Sequence, residues 1–152
     1  ACPRGDGDLV LGGDQTMTAT TIALVGFAAW QLALTVVLGV YRTALVQTGR
    51  KQANSFAPDG SDVGGFGRRL TRARDNCYEN LPVFAAIVLG ASLAGRTGEL
   101  DPLAMVVLYA RIGQSVTHLV STSVPAVFAR FGFYLVQVGI FLKWSLGLLW
   151  GI

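Results

Sequence analysis

The sequence predicts an all-α membrane protein, a four-transmembrane-helix bundle that forms a single domain. Of its 152 residues, 52% are hydrophobic and only 14% are charged, whereas soluble domains average about 25% charged residues. Four apolar stretches each approach the roughly 20 residues that a membrane-crossing helix needs. The connections between these stretches leave no room for a separate soluble domain, so we expect one multi-pass membrane bundle.

The chain divides into residues 1–16 and a membrane domain over residues 17–152. The first segment is rich in Gly and Asp and has no hydrophobic periodicity. We expect it to be a disordered or non-native leader, with Met17 as the natural start. The four helices of the membrane domain are predicted at about 20–41, 67–95, 102–121 and 126–150.

The second predicted helix begins as a charged segment over residues 68–82 and continues as an apolar one. At helical spacing, Arg72, Asn76 and Glu79 lie on one face, together with Asp75. A polar helix face that continues into a segment apolar enough to cross a membrane costs free energy in lipid, unless that face lines a site or a protein interior. This helix is therefore expected to form one wall of a polar pocket.

Two further polar stripes occur at helical spacing, one in the third helix and one in the fourth. The second and fourth helices are expected to begin on the side of the membrane where the third ends. The stripes should therefore meet in one pocket, with Arg111 at a deeper position than the rest. The stripes consist of Arg111, Gln114, Ser115 and His118 in the third helix, and of Arg130, Tyr134 and Gln137 in the fourth.

The distribution of basic residues predicts the orientation in the membrane. Residues 42–74 contain seven Lys and Arg residues, whereas the connection after the second helix contains Arg96 beside Glu99 and Asp101. The 42–67 loop is therefore expected in the cytoplasm, and both termini on the opposite side. Membrane lipids are the expected surroundings. The net charge of +3 comes largely from membrane-flanking residues and predicts no nucleic-acid partner.

The predicted pocket contains groups that suit a small zwitterion with several carboxylates. The guanidinium groups of Arg72, Arg111 and Arg130 can each pair with a carboxylate. Glu79 can accept hydrogen bonds from an ammonium group, and the Tyr134 hydroxyl can stabilise a thiolate or an alkoxide. Alternatively, the charged groups pair with one another and hold the bundle together, and His118 is a satisfied interior histidine. No His/Cys cluster has the spacing of metal ligands, so no metal is predicted.

At Arg72-Ala-Arg-Asp-Asn76-Cys-Tyr-Glu79-Asn-Leu-Pro82 the sequence resembles the MAPEG family, the membrane-associated proteins in eicosanoid and glutathione metabolism. The second helix of that family carries an Arg-Ala-x-x-Asn-x-x-Glu signature followed by a proline. The position of the proline is similar to that in bacterial members. Further resemblance lies in Tyr109-Ala-Arg111 and Arg130-x-x-x-Tyr134, and in total it covers about residues 17–152.

The resemblance implies a homotrimer that binds glutathione between neighbouring subunits, in a bacterial inner membrane. Carried over from the family, Arg72, Asn76 and Glu79 would bind glutathione, with Arg130 and Tyr134 as the catalytic residues that stabilise its thiolate. Arg111 and His118 are predicted to contribute to the same binding site, as the polar stripes indicate.

The activity implied is that of a glutathione-dependent transferase or peroxidase acting on lipophilic electrophiles. Asp75 departs from the family pattern, because glutathione-using members often have an arginine there, and an acid is expected to weaken capture of a carboxylate. Gln114 and His118 stand where some members have His and Tyr. The alternative is a non-catalytic MAPEG-fold accessory subunit, or a lipid-binding scaffold, of a larger membrane complex.

Overall fold

The structure, a computed structural model, describes residues 17–151 and is all-helical over that range. The predicted leader at residues 1–16 lies outside the described residues. Each predicted helix is present, with ends shifted by a few residues, and a short 3-10 helix precedes the third. The four long helices are α1 (Ala19–Gln47), α2 (Gly65–Leu93), α3 (Asp101–Val120) and α4 (Val124–Trp150), and the 3-10 helix is Thr97–Glu99.

The largest difference from the predicted bounds is at the end of α1. It does not stop near residue 41 but continues through Gln47, because residues 42–47 contain neither Gly nor Pro. Gly49, with φ of +68°, then reverses the chain in the left-handed conformation that favours glycine after a helix. α2, in turn, runs through Pro82 as one helix.

Three helices, α1, α3 and α4, are long and apolar enough to cross a membrane. The prediction of membrane-spanning helices is confirmed for these three. α2 has 29 residues, which is a sufficient length, but its first half is charged. Its crossing of the membrane stays a prediction.

Side-chain contacts show that successive helices run in opposite directions. The start of α1 contacts the start of α3, where Thr20 meets Asp101. Arg96, just after α2, donates to the Gly147 carbonyl near the end of α4. We call the opposite end, with the 48–64 connection and the 121–123 turn, the loop end. At the loop end α1 and α3 finish while α2 and α4 begin.

The core is held by aromatic rings and by close helix contacts. Phe84 of α2 stacks on Phe141 and Trp144 of α4, with centroids 5.7 and 6.1 Å away, and meets Phe27 of α1 at 5.9 Å. Gly26 lets α1 approach α3, since a Cβ there would lie 2.9 Å from a methyl carbon of Leu108. The apolar side of α2 therefore faces the other helices, where aromatic rings and small residues allow close packing.

The long connection at the loop end folds back on itself. Lys51 donates to the Asp62 carboxylate and also to the Ser55 carbonyl, at 3.0 Å. The hydrogen bond from Lys51 lowers the pKa of Asp62. Phe56 lies beneath two cations, with the Arg42 guanidinium 5.3 Å and the Lys51 ammonium 5.5 Å from its ring centroid. These contacts keep the connection against the end of α1.

A polar contact joins the first turns of α1 and α3 at the end opposite the loop end. Asp101 accepts hydrogen bonds from the backbone N–H of Thr20 at 2.8 Å and from its hydroxyl at 2.6 Å. Thr20 is fully buried. The carboxylate also lies in the first turn of its own helix, where the helix dipole favours a negative charge.

Replacing this carboxylate is expected to destabilise the bundle. Asp101→Ala leaves two buried donors of Thr20 without a partner, at a cost of about 1–3 kcal/mol in the free energy of unfolding. Thermal unfolding in detergent measures the effect. Thr18→Ala serves as the control, because the hydrogen bonds that it removes, to the N–H and the hydroxyl of Thr21, are both exposed. Equal losses in the two variants would contradict this role of Asp101.

Candidate functional site

A pocket of about 450 Å³ opens at the loop end, where α2 and α4 begin and α3 ends. Its volume lies within the range of small-molecule sites. Three residues predicted for the site, Arg72, His118 and Arg130, line it together. The remaining lining residues are Gly65, Arg68, Arg69 and Thr122.

Two hydrogen bonds fix the orientation of side chains in this pocket. Arg130 donates from Nη1 to Nδ1 of His118 at 3.0 Å. Because a guanidinium group can only donate, His118 accepts through Nδ1 and carries its proton on Nε2. Arg69 donates from Nε to the Leu119 carbonyl at 2.9 Å, which ties α2 to the last turn of α3. The imidazole of His118 is therefore a neutral hydrogen-bond donor toward any ligand that meets Nε2.

This pocket, which we call the arginine pocket, carries a high density of positive charge. Four of its lining residues are arginines and none is acidic. The salt bridges found within residues 17–151 use other cations, namely Lys51, Arg74 and Arg96. Guanidinium groups pair strongly with carboxylates and phosphates, so the pocket suits an anionic ligand.

Tyr134, the second predicted catalytic residue, lies one helical turn after Arg130 on α4 and lines a different cavity. This second cavity, of about 280 Å³, is mainly apolar and lies between α2 and α4. Tyr134 is 40% exposed. We call the cavity the apolar groove; its lining residues are Asn80, Val83, Tyr134, Val138, Phe141, Leu142 and Ser145.

Asn76 and Glu79 line neither the arginine pocket nor the apolar groove. The backbone carbonyl of Asn76 accepts from Arg111 Nη1 at 3.2 Å and from Asn80 Nδ2 at 2.9 Å. Glu79 is exposed on the side of α2 opposite to the buried Cys77 and Phe84. In one subunit these two predicted ligands therefore stand apart from the arginine pocket.

Arg111 lies inside the bundle, away from both cavities. It is fully buried, with its guanidinium 5.1 Å from the Phe27 ring centroid. Its Nη1 reaches the Asn76 carbonyl, whereas Nε and Nη2 have no hydrogen-bond partner in the described part of the chain. Arg111 thus joins α3 to α1 and α2 through its contacts, and a role in ligand binding stays a prediction.

Asp75 is turned away from the arginine pocket. Its carboxylate accepts from Arg74 Nε at 2.9 Å and from Arg74 Nη2. Both residues line a cavity of about 370 Å³ beside α1, together with Gln31, Thr35 and Tyr78. The Asp75 carboxylate is therefore compensated by Arg74 on another side of α2 than the arginine pocket.

Four lining residues of the arginine pocket, Gly65, Arg68, Arg69 and Thr122, are absent from the predicted site. Arg68 lies four residues before Arg72, and that spacing alone could have placed it on the same helix face. Arg69 reaches the pocket across the end of α3, and Thr122 belongs to the turn before α4. The positions of these two depend on how the helix ends meet, which the helical period does not give.

Comparison with known proteins identifies the family. Residues 20–150 match the profile of the MAPEG family. The chain belongs to the MAPEG family. No curated protein and no solved structure matches it significantly. Together with the three apolar helices, membership makes the chain an integral membrane protein, and the resemblance predicted from the second-helix motif is confirmed.

The interior position of Arg111 predicts different effects for two substitutions. Arg111→Ala empties a packed site next to Phe27 and is expected to cost about 2–5 kcal/mol of unfolding free energy. Arg111→Met keeps most of the volume and removes a buried charge, so its cost is expected to be smaller. Thermal unfolding in detergent compares the two. If Arg111→Met instead keeps full stability but abolishes binding of an anionic ligand, Arg111 is a ligand residue.

Proposed function

We propose that this MAPEG protein is a glutathione-dependent transferase or peroxidase that acts on lipophilic electrophiles. The observation that carries the proposal is the arginine pocket, in which Arg72, His118 and Arg130 converge without an acidic residue. Glutathione presents two carboxylates, one ammonium group and a thiol, and arginine is the residue best suited to bind carboxylates in a partly buried site.

The catalytic residues in this proposal are Arg130 and Tyr134. When bound, glutathione supplies a thiol whose deprotonated form is a strong nucleophile. A positive charge and a hydroxyl donor both favour the thiolate over the thiol. Arg130 has the charge, and its bond to His118 restricts the guanidinium to one orientation. Tyr134 has the hydroxyl, one turn further into the bundle. Arg72 binds a carboxylate nearer to the start of α2.

The apolar groove supports the choice of electrophile. Tyr134 lines it, so a group in the groove lies next to one of the proposed catalytic residues. The other lining side chains are mainly apolar and are placed well along the helices, at membrane depth. We propose that a lipophilic acceptor enters this groove sideways from the bilayer, without passing through water.

The proposal places Asn76 and Glu79 at the contact between subunits of a homotrimer. An exposed carboxylate on a membrane helix is unfavourable unless polar groups or a ligand cover it. Glu79 is such a carboxylate. A neighbouring subunit that covers this face of α2 would remove Glu79 from lipid and bring it to glutathione, from whose ammonium group its carboxylate can accept hydrogen bonds.

The proposed location is a bacterial inner membrane, with the arginine pocket facing the cytoplasm. The basic residues of the 42–74 region support this orientation through the positive-inside rule. Glutathione is a cytoplasmic thiol, so it would reach the pocket directly from the side on which the pocket opens.

Arg130→Gln tests the proposal most directly. Removing a preorganised positive charge from a developing thiolate is expected to lower kcat/KM about 100-fold or more. Calorimetry on the purified protein gives glutathione affinity, and a chromogenic aryl halide gives the rate. Arg50→Gln is the matched control, because Arg50 is exposed on the 48–64 connection. The absence of glutathione binding in the unmodified protein, or an unchanged rate in Arg130→Gln, would overturn the proposal.

Asp75→Asn tests whether the departure from the family pattern matters. Because Asp75 is paired with Arg74 on another side of α2, the glutathione Kd is expected to change by less than about threefold, well under the tenfold that 1.4 kcal/mol represents. Arg72→Gln, which lies in the pocket, is expected to weaken binding by about tenfold or more. If Asp75→Asn instead binds glutathione about tenfold more tightly, the Asp75 carboxylate opposes glutathione binding from its position beside Arg74.

A further inference from the structure

We propose that the outer part of the arginine pocket, formed by Arg68, Arg69 and Thr122, is a phosphate site for an anionic membrane lipid. This outer site is distinct in its residues from the Arg72, His118 and Arg130 set used above, and it stands whether or not that set binds glutathione. The ligand class is a phosphate ester with an acyl-chain tail, held at the membrane surface.

The first argument is the balance of charge in the pocket. Four guanidinium groups line it, and none of them is in a salt bridge within the described part of the chain. A ligand with two carboxylates and one ammonium group leaves most of that positive charge uncompensated. Several like charges in one pocket repel one another, so binding of a second anion there is favourable.

The second argument comes from the helix ends and does not depend on the arginines. α2 begins at Gly65, which lines the pocket, and neither its N-cap Gly64 nor the N-cap of α4, Ser123, makes a side-chain capping bond. Free N–H groups and the positive end of the dipole are therefore left at both starts. Two uncapped helix starts and four guanidinium groups at one place favour an anion, and phosphate is the anion that helix starts commonly bind.

The third argument is that Arg69 is already positioned. Its Nε donates to the Leu119 carbonyl, so only its Nη groups remain for a ligand and little side-chain entropy is left to lose on binding. The same bond occupies a carbonyl at the C-terminal end of α3, the negative end of a helix dipole. Because this carbonyl is hydrogen-bonded to Arg69, it contributes less negative potential at the pocket.

The fourth argument identifies the source of the phosphate as a lipid. The outer site lies at the loop end, where lipid headgroups would meet helices that span a bilayer, and large apolar side chains near the starts of α2 and α4 are exposed. Phe66 follows Gly65 on α2, and Val124 and Val127 lie in the first turns of α4, with 44, 69 and 47% exposure. A soluble phosphate would not use these side chains, whereas the upper acyl chain of a lipid would cover them.

The experiment compares lipids and variants in the full-length purified protein. The protein is mixed with detergent micelles that contain phosphatidylglycerol or phosphatidylcholine, and bound lipid is counted by native mass spectrometry. We expect saturable binding of phosphatidylglycerol, at least about 10-fold tighter than that of phosphatidylcholine, and weakened by salt. Arg68→Glu is expected to reduce this binding at least 10-fold, and excess inorganic phosphate to compete with it.

The controls keep each outcome interpretable. Arg50→Gln is expected to bind the lipid as the unmodified protein does. Arg68 is exposed and makes no side-chain hydrogen bond within residues 17–151, so we expect Arg68→Glu to leave the fold intact. Arg69→Gln also breaks the hydrogen bond to α3, and its stability is therefore checked by thermal unfolding. Equal phosphatidylglycerol binding in Arg68→Glu and the control would overturn the proposal, as would binding of inorganic phosphate without competition from the lipid.

Glutathione affinity measured beside lipid binding separates this site from the proposed function. We expect Arg68→Gln, which removes the charge without placing a carboxylate one helical turn from Arg72, to weaken lipid binding at least 10-fold while its glutathione Kd changes less than threefold. A parallel loss of both ligands would mean one shared anion site and overturn the outer site. Absence of glutathione binding in the unmodified protein, with phosphatidylglycerol binding retained, would overturn only the proposed function.

Discussion

The structure depends on one constraint, the two chemically opposite sides of α2. Its inward side carries Leu70, Cys77 and Phe84, which are fully buried among the other helices. Its other side carries Arg72 and Glu79, which are exposed in the single subunit. A helix with this composition cannot lie in lipid with its polar side uncovered. The arginine pocket and the uncovered carboxylate both reflect that conflict, and the conflict is the reason for proposing a neighbouring subunit.

The helix ends convert this constraint into a site. Arg72 comes from the second turn of α2, Arg130 from the second turn of α4, and His118 from the last turn of α3. The loop end brings these turns together, because α2 and α4 begin there and α3 finishes there, and the antiparallel order of the helices creates that end. Arg111 shows the contrast, because it lies further from the helix ends and is enclosed by Phe27 and the Asn76 carbonyl.

Much of this arrangement could be predicted from the sequence. The lengths of the apolar stretches and the helical period were sufficient to predict the four helices. The motif in the second helix was sufficient to predict the family. The convergence of Arg72, His118 and Arg130 also followed from the period and the order of the helices. These features depend on local pattern and topology, both of which can be read from one chain.

The remaining features depend on rotations and contacts that the pattern does not contain. Asp75 lies within one helix face by period, yet its neighbour Arg74 draws the carboxylate toward α1. Arg69 lines the pocket with its Nε bonded to the Leu119 carbonyl at 2.9 Å, a contact between helices that the helical period does not give. Asn76 and Glu79 are separated from the pocket within the single chain. The helical period describes positions along one helix and does not predict contacts with another chain.

The polar contact between Thr20 and Asp101 lies at the opposite end of the bundle from the arginine pocket, with the aromatic cluster around Phe84 between them. The contact that fastens α1 to α3 at the far end is therefore separate from the residues proposed to meet a ligand. Such a division lets the ligand-facing residues diverge between relatives without loss of the scaffold. Changes at the arginine pocket would then leave intact the contact that holds the far end of the bundle together.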